Sequence, residues 1–371
     1  MYNYRLLLIT AYYYFRNKSY QQSYNIYNKI VKLSKTNDNV YYNMACCLYH
    51  LNKLDTSLYF FNKIENKNIN NNLLSNMAII YLKKNNLRQG LILYEYRLYN
   101  DNFYKDNINF YKINIPIWDG IKSCNKLIIY GEQGLGDQLQ FYRYILLLRK
   151  RYRNMIIYCI MSDKIKHIIK NKKRIYLIKK DKVVADYKLL MISLLKILNI
   201  YEIIPFNNKY NYLINNKLKN TYWKKIIKSY HKPIIGIYWK SNNIYKNIYK
   251  NIPISELLNL FTSNNIFISL DTNKYNCLPT NVLQFNIDKD MSFIDTIAII
   301  NNVDILVTID SVVAHIGGII GKKTFLLLEN NNTDWRWFQC NNCKWYTNIY
   351  IFRKEDNWKE LFNLIKNKIK I

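Results

Sequence analysis

Glycine and proline are scarce in this 371-residue chain, with nine and five copies, so conformational freedom and helix-breaking punctuation are both limited. Six of the nine glycines fall in two short stretches, Gly131/Gly134/Gly136 and Gly317/Gly318/Gly321. In a chain this poor in glycine, each of those positions is expected to serve backbone geometry. The seven cysteines are odd in number and follow no repeating spacing, which excludes a disulfide framework and points to a reducing compartment. Cys340-Asn-Asn-Cys343 has no second ligand pair at zinc-ribbon spacing, and His315 is the one histidine nearby, so the pair reads as ordinary thiols. No run of 18 apolar residues exists, which excludes a transmembrane helix. Leu6 to Phe15 is apolar but lacks a small-residue cleavage site, and the expected location is the cytoplasm.

What the chain has in excess is positive charge, a formal +30 with a pI near 9.6. Lys, Asn, Ile and Tyr, the crowded residue types, are all encoded by A/T-rich codons, so base composition accounts for the lysines. They are spread along the chain, and neither an RRM nor a KH signature is present, so no nucleic-acid partner is expected. The length allows two or three domains with sizeable cores.

Self-similarity begins at the first residues. Ala11, Ala45 and Ala78 are spaced by 34 and 33 residues, and Tyr14/Leu48/Tyr81, Ser23/Ser57/Gly90 and Tyr27/Phe61/Tyr94 follow in register. A polar turn divides each unit into two segments of helical apolar spacing, and small residues at matching points let paired helices approach closely. This pattern resembles the tetratricopeptide repeat, without the usual proline at the end of each unit, where Ile69 stands in one case. The expectation is an array of helical repeats over residues 1–105, able to present a face to a protein or peptide.

Ile115-Pro-Ile-Trp118-Asp-Gly120 interrupts the helical pattern and marks the expected domain junction. Lys126 to Tyr130 then reads as a strand, followed by Gly131-Glu-Gln-Gly134-Leu-Gly136-Asp137 and a helix from Gln138 to Arg151. The loop is neither a Walker A motif nor the dinucleotide GxGxxG. Asp137 stands at the mouth of this βα unit, where it can face a substrate crevice or simply cap the helix. Strands at 154–161 and 174–178 and helices at 162–169, 189–198 and 215–230 continue the alternation, which implies a parallel sheet.

A second series starts at Pro233-Ile-Ile-Gly236-Ile-Tyr-Trp239 and passes through a polar loop, Lys240 to Lys250. Helix 253–262, strands 265–270 and 282–286, and helix 292–301 follow. Asp288-Lys-Asp290 resembles a metal-binding DxD but directly precedes that helix, so capping is the expected role. The most informative stretch comes next: a buried strand Ile305 to Ile309, the capping residues Asp310 and Ser311, a small apolar helix from Ala314 to Ile320, and Gly321 at its end. A helix N-terminus opening beside a strand's carboxyl end is a ready anion site. A strand at 323–328 closes the series.

Glu132-Gln-Gly-Leu-Gly-Asp137, Gly236-Ile-Tyr-Trp239, Asp304 to Asp310 followed by Ser-Val-Val-Ala-His315, and Asp334-Trp-Arg-Trp337 together resemble tetratricopeptide-repeat glycosyltransferases related to the ADP-heptose heptosyltransferases, over about residues 115–365. The resemblance implies an α/β chain with N-terminal all-α repeats followed by a GT-B fold: a Rossmann-like acceptor-side domain at 106–230 and a Rossmann-like nucleotide-sugar domain at 231–371. It implies transfer of a sugar from a nucleotide-sugar donor to a protein or glycan acceptor, with the repeats available to recruit that acceptor, and with no cofactor or essential metal. Asp137 is then the candidate base. Asp310, Ser311, His315 and Lys246 meet the donor's phosphates, and Gly134, Gly136, Gly317 and Gly318 shape the loops. Where related chains carry small residues, Lys240 and Ser241 stand here. The rival reading is a non-catalytic interaction scaffold whose GT-B half is a relic.

Overall fold

In the computed structural model of the chain the described residues are 2–33, 38–65, 71–179, 183–241, 250–288, 292–330 and 333–369. The chain divides into two compact units, residues 1–111 with 331–339, and residues 112–330 with 340–371.

The first unit is helical. It consists of α1 (Tyr2–Arg16), α2 (Tyr20–Leu33), α3 (Asp38–His50), α4 (Leu54–Asn62), α5 (Asn71–Lys83) and α6 (Leu87–Tyr94), then the short α7 (Asp101–Asp106) and α8 (Ile108–Lys112). The 34- and 33-residue periodicity is built into its turns. Lys18, Asn52 and Asn85 all take left-handed φ values of 59–62°, and Ser19, Lys53 and Asn86 each donate a 2.9 Å backbone bond to the carbonyl five residues earlier. That is a Schellman-type helix end used three times. Ala11, Ala45 and Ala78 are fully buried, and the Ser23 and Ser57 hydroxyls donate to the Ala11 and Ala45 carbonyls at 2.8 and 2.7 Å. Gly90 occupies the third such position, where a Cβ would lie 2.7 Å from Leu82 Cδ2. Ser57→Ala is therefore expected to cost about 1 kcal/mol, the usual net worth of one hydrogen bond. An unchanged urea midpoint for this unit would show that the hydroxyl only fills space. Asp334-Trp-Arg-Trp337 also belongs here: Trp335 stacks edge-on with Tyr94, and Gln339 Nε2 donates to Asn52 Oδ1 at 2.9 Å.

The second unit holds two sheets. The first contains β1 (Lys126–Tyr130), β2 (Ile156–Ile160), β3 (Ile175–Ile178) and β4 (Tyr187–Leu190) in the order β3-β2-β1-β4, all parallel. Its connecting helices are α9 (Leu135–Arg151), α10 (Asp163–Lys166) and α11 (Leu194–Ile197); α12 (Lys217–Lys228) follows and packs on the helix Ile294–Asn302 of the second half. The second sheet contains β5 (Ile234–Tyr238), β6 (Ile266–Ser269), β7 (Val282–Gln284), β8 (Ile305–Ile309), β9 (Thr324–Glu329) and β10 (Ile349–Lys354) in the order β10-β9-β8-β5-β6-β7, again parallel. With it come α13 (Ile254–Leu257), α14 (Ile294–Asn302), α15 (Val312–Ile320) and α16 (Trp358–Ile369). A helical N-terminal region followed by two parallel α/β halves is consistent with a GT-B-like fold.

Residues 189–198 differ from the expected single helix. Tyr187–Leu190 pairs with β1 as β4, and helical turns begin only at Met191. Lys188 disguised the strand: this buried lysine donates its ammonium to the Ile113 carbonyl at 2.7 Å, and burial lowers its pKa. The sheet claims an edge next to β1 that local helical spacing cannot foresee. Beyond 328 the structure adds β10 and α16, whose Trp358, Phe362 and Ile365 are buried in the core of the six-stranded half.

Candidate functional site

The turn after β1 is held by side chains from both directions. Gly131 lies against Gln138, where a Cβ would approach Cδ to 2.7 Å, and Gln138 Oε1 accepts the Ser162 N–H at 2.9 Å. Glu132 is buried and its Oε1 accepts the Ile192 N–H at 2.8 Å, fastening the turn to the end of β4. Sequence reasoning did not single out Glu132; the available signal was a carboxylate between a strand and a glycine. Gln133 takes φ +59°, and α9 starts at Leu135, three residues before the sequence reading placed it. Asp137 is thus the third residue of the helix, and its Oδ2 accepts the Gly134 N–H at 2.8 Å. The capping role is present, and a carboxylate there suits the positive end of the helix dipole.

On the other sheet, β8 ends at Ile309 and α15 starts one residue after its N-cap, Ser311. The Ser311 side chain makes no capping bond to the first amides of α15; its hydroxyl lies 3.3 Å from Thr308 Oγ1. The carboxylate of Asp310 pairs with the ammonium of Lys250. Gly317 and Gly318 let α15 sink into the fold, since a Cβ would meet Leu306 Cδ2 and the Tyr346 ring, each at 2.6 Å. The helix ends at Gly321 with φ +89°.

These two turns, 175 residues apart between Gly136 and Ser311, meet in space. A Cβ at Gly136 would stand 2.6 Å from His315 Cδ2, 3.2 Å from its Nε2 and 3.4 Å from Val312 Cα, so the first turns of α9 and α15 are in direct contact. His315 is 3% exposed, and its Nδ1 lies 3.1 Å from the Tyr346 hydroxyl. Burial pushes the Tyr346 phenol well above its ordinary pKa, so it stays protonated. The direction of this bond depends on the imidazole tautomer: where the hydroxyl donates to Nδ1, the ring proton stands on Nε2, the nitrogen nearer Gly136. Arg143 on α9 adds a further tie, donating to the Trp345 and Ile204 carbonyls at 3.1 and 2.6 Å.

Around this junction lie the carboxyl ends of β5 and β6. Asp271 is buried, accepting the Tyr275 hydroxyl at 2.7 Å and the Asn273 N–H at 3.0 Å. Burial and that carboxylate raise the Tyr275 pKa, while burial pushes Tyr238 up to about 12. Lys240 reaches over the Tyr275 ring, and Tyr275 in turn packs on Trp239. Lys246 lies outside the described residues; Lys250, from the same polar loop but not singled out by the sequence, is the lysine that reaches Asp310.

Gly236 differs from the other glycines, since a Cβ there would meet neighbours only at 3.5–3.6 Å, ordinary contact. Asp288 caps as expected: its carboxylate accepts the Asp295 and Thr296 N–H groups at 2.8 and 3.0 Å and the Thr296 hydroxyl at 2.5 Å, while burial raises its pKa. Asp290 lies outside the described residues. Among the described residues no group of three or more His, Cys, Asp or Glu is placed to hold a metal ion.

No protein-family model matches the chain, and no curated protein matches it. Among solved structures it is similar to a glycosyl transferase family 9 protein from Veillonella parvula, with 12% identity over 67% of this chain and 90% of that one and a TM-score of 0.45. It is similar to the ADP-heptose LPS heptosyltransferase II of E. coli, with 10% identity over 66% and 98% of the two chains and a TM-score of 0.41. It is also similar to TibC from enterotoxigenic E. coli, described as an iron-containing dodecameric glycosyltransferase, with 11% identity over 57% and 59% and a TM-score of 0.37.

Proposed function

We propose that the chain is a glycosyltransferase that moves a sugar from a nucleoside-diphosphate donor to a protein or glycan acceptor. The observation that carries this reading is the contact of two βα turns at the carboxyl ends of two parallel sheets, one bearing Asp137 and the other an N-cap whose side chain leaves the first amides of α15 to other partners. The diphosphate is assigned to the N-terminus of α15. Amide donors, the positive dipole end and Lys250 stabilise the negative charge left when the sugar departs. Asp310 holds Lys250 beside those amides. Asp137 is assigned as the base that takes the proton of the attacking hydroxyl. His315 has its proton on Nε2 in this reading, either reaching a phosphate oxygen or holding the two turns in register. The helical unit, with its tetratricopeptide-like repeats, is assigned to recruiting the acceptor.

Two measurements test these assignments. Turnover is read by incubating the full chain with a panel of nucleoside-diphosphate sugars and following nucleoside diphosphate release; a folded chain that releases none from any donor would favour the scaffold reading. Affinity is read by calorimetry: Lys250→Ala should weaken nucleoside diphosphate binding by about 1.5–3 kcal/mol, the worth of a hydrogen bond to a charged group. Unchanged affinity would remove Lys250 from the donor site.

A further inference from the structure

The even spread of lysine along the chain hides an uneven distribution of acid. Between Glu202 and Glu256 no Asp or Glu occurs, while ten lysines do, although the whole chain has 25 acids in 371 residues. Inside this stretch lies α12, which packs on α14 through the buried Trp223 and Ile227. Trp223 Nε1 donates to Asp295 Oδ1 at 2.8 Å, Lys219 pairs with the same carboxylate at 2.9 Å, and Asn302 donates to Asn220 at 3.0 Å. These contacts fix which side of α12 faces outward. That outer side carries Lys217, Leu218, Tyr222, Lys224, Lys225 and Lys228, all exposed. Leu218 is 84% exposed and Tyr222 57%, one helical turn apart.

We propose that the outward face of α12 is a docking surface for an anionic phospholipid bilayer. Codon composition explains many lysines, but it does not explain the absence of acid through this stretch. Nor does it explain a leucine held almost fully in water between lysines. Charge complementarity selects an anionic partner, and the apolar pair selects among such partners. Leu218 inserts into the boundary between headgroups and acyl chains, Tyr222 sits at the same depth with its hydroxyl in the headgroups, and the lysine stems extend to the phosphates. A nucleic acid would gain little from Leu218, and the stretch contains no arginine to grip phosphate bidentately. Two apolar side chains on one short helix give reversible, peripheral attachment that salt weakens. The inference stands on α12 alone and does not depend on the donor site.

Co-sedimentation of the full chain with phosphatidylcholine vesicles, with and without about 30 mol% phosphatidylglycerol, tests it. Binding is expected only to the anionic vesicles and is expected to fall as salt is raised. Each basic residue near such a surface is worth about fivefold in binding, so changing Lys217, Lys224, Lys225 and Lys228 together to Gln should weaken it by about 600-fold. Leu218→Ser with Tyr222→Ser should weaken it by roughly tenfold at unchanged net charge. The control changes Lys105, Lys122, Lys359 and Lys368, all exposed and elsewhere, to Gln and should shift binding by less than about twofold. Equal loss in the control would assign the effect to bulk charge and overturn the proposal. So would absence of vesicle binding, or retention of full binding by the Leu218/Tyr222 double variant. Tight RNA binding that the lysine set abolishes and the double variant retains would move the face to nucleic acid.

Discussion

Asp137→Asn is expected to reduce sugar transfer by about 100-fold or more, the usual scale for loss of a general base, with donor affinity changed by less than about twofold. The substitution separates the two roles that meet in this residue. An asparagine at the third position of α9 keeps an oxygen able to accept the Gly134 N–H, so the 2.8 Å tie that shapes the turn survives and the chain folds. What is lost is the ability to take a proton from the acceptor hydroxyl. The donor's phosphates are assigned to the other half of the site, so nucleoside diphosphate titrations should barely register the change. A folded variant that transfers sugar at near wild-type rate would leave Asp137 with capping alone.

The second large effect is expected from Gly136→Ala, with Gly236→Ala as its counterpart. At Gly136 the new methyl would be placed 2.6 Å from His315 Cδ2, and the imidazole cannot swing aside freely because Tyr346 holds its Nδ1. Overpacking of this kind costs about 1–3 kcal/mol, more than the gain of up to about 1 kcal/mol from replacing glycine in a helix. The net result should be a melting temperature lower by a few degrees in a unit of this size. Transfer should fall too, since Asp137 is the adjacent residue and the contact that sets its position is prised apart. At Gly236 the nearest atoms would be 3.5–3.6 Å away, so Ala fits and the strand loses a flexible residue; stability should be unchanged or rise by about 0.5–1 kcal/mol. If the two variants shifted stability alike, contact between α9 and α15 could not be what glycine preserves at 136.

The contrast between these glycines shows what the sequence could and could not reveal. Short strands of aliphatic and β-branched residues, such as Lys126–Tyr130, ended by Gly131, and Ile305–Ile309, ended by Asp310, were readable because burial on both faces leaves a continuous apolar run. The helical pairs were readable from period, because small residues recur in register at Ala11, Ala45 and Ala78 and at Ser23, Ser57 and Gly90; the left-handed turns at Lys18, Asn52 and Asn85 keep the same spacing. Strand β4 was hidden because its buried lysine donates to a carbonyl 75 residues away, a partner that no local window contains. In the candidate site, the residue types at 137, 310, 311 and 315 were legible, while their partners were not. Tyr346 and Lys250 reach those turns from distant segments, and Glu132 ties its own turn to Ile192, contacts that only the folded chain brings together. The same holds for α12, where periodicity marks the buried face but only tertiary packing on α14 shows which lysines remain in water.

The central claim is that a donor's diphosphate sits on the N-terminus of α15, and calorimetric titration of the full chain with ADP, UDP and GDP and the matching monophosphates tests it most directly. At least one diphosphate should bind, with its monophosphate weaker by roughly tenfold or more, since the terminal phosphate is the group assigned to the α15 amides and Lys250. His315→Ala should weaken the diphosphate by about 1–2 kcal/mol. If no nucleoside diphosphate binds, or if His315→Ala and Lys250→Ala both leave a bound diphosphate's affinity unchanged, the donor site is not at this helix and the enzymatic reading loses its main support.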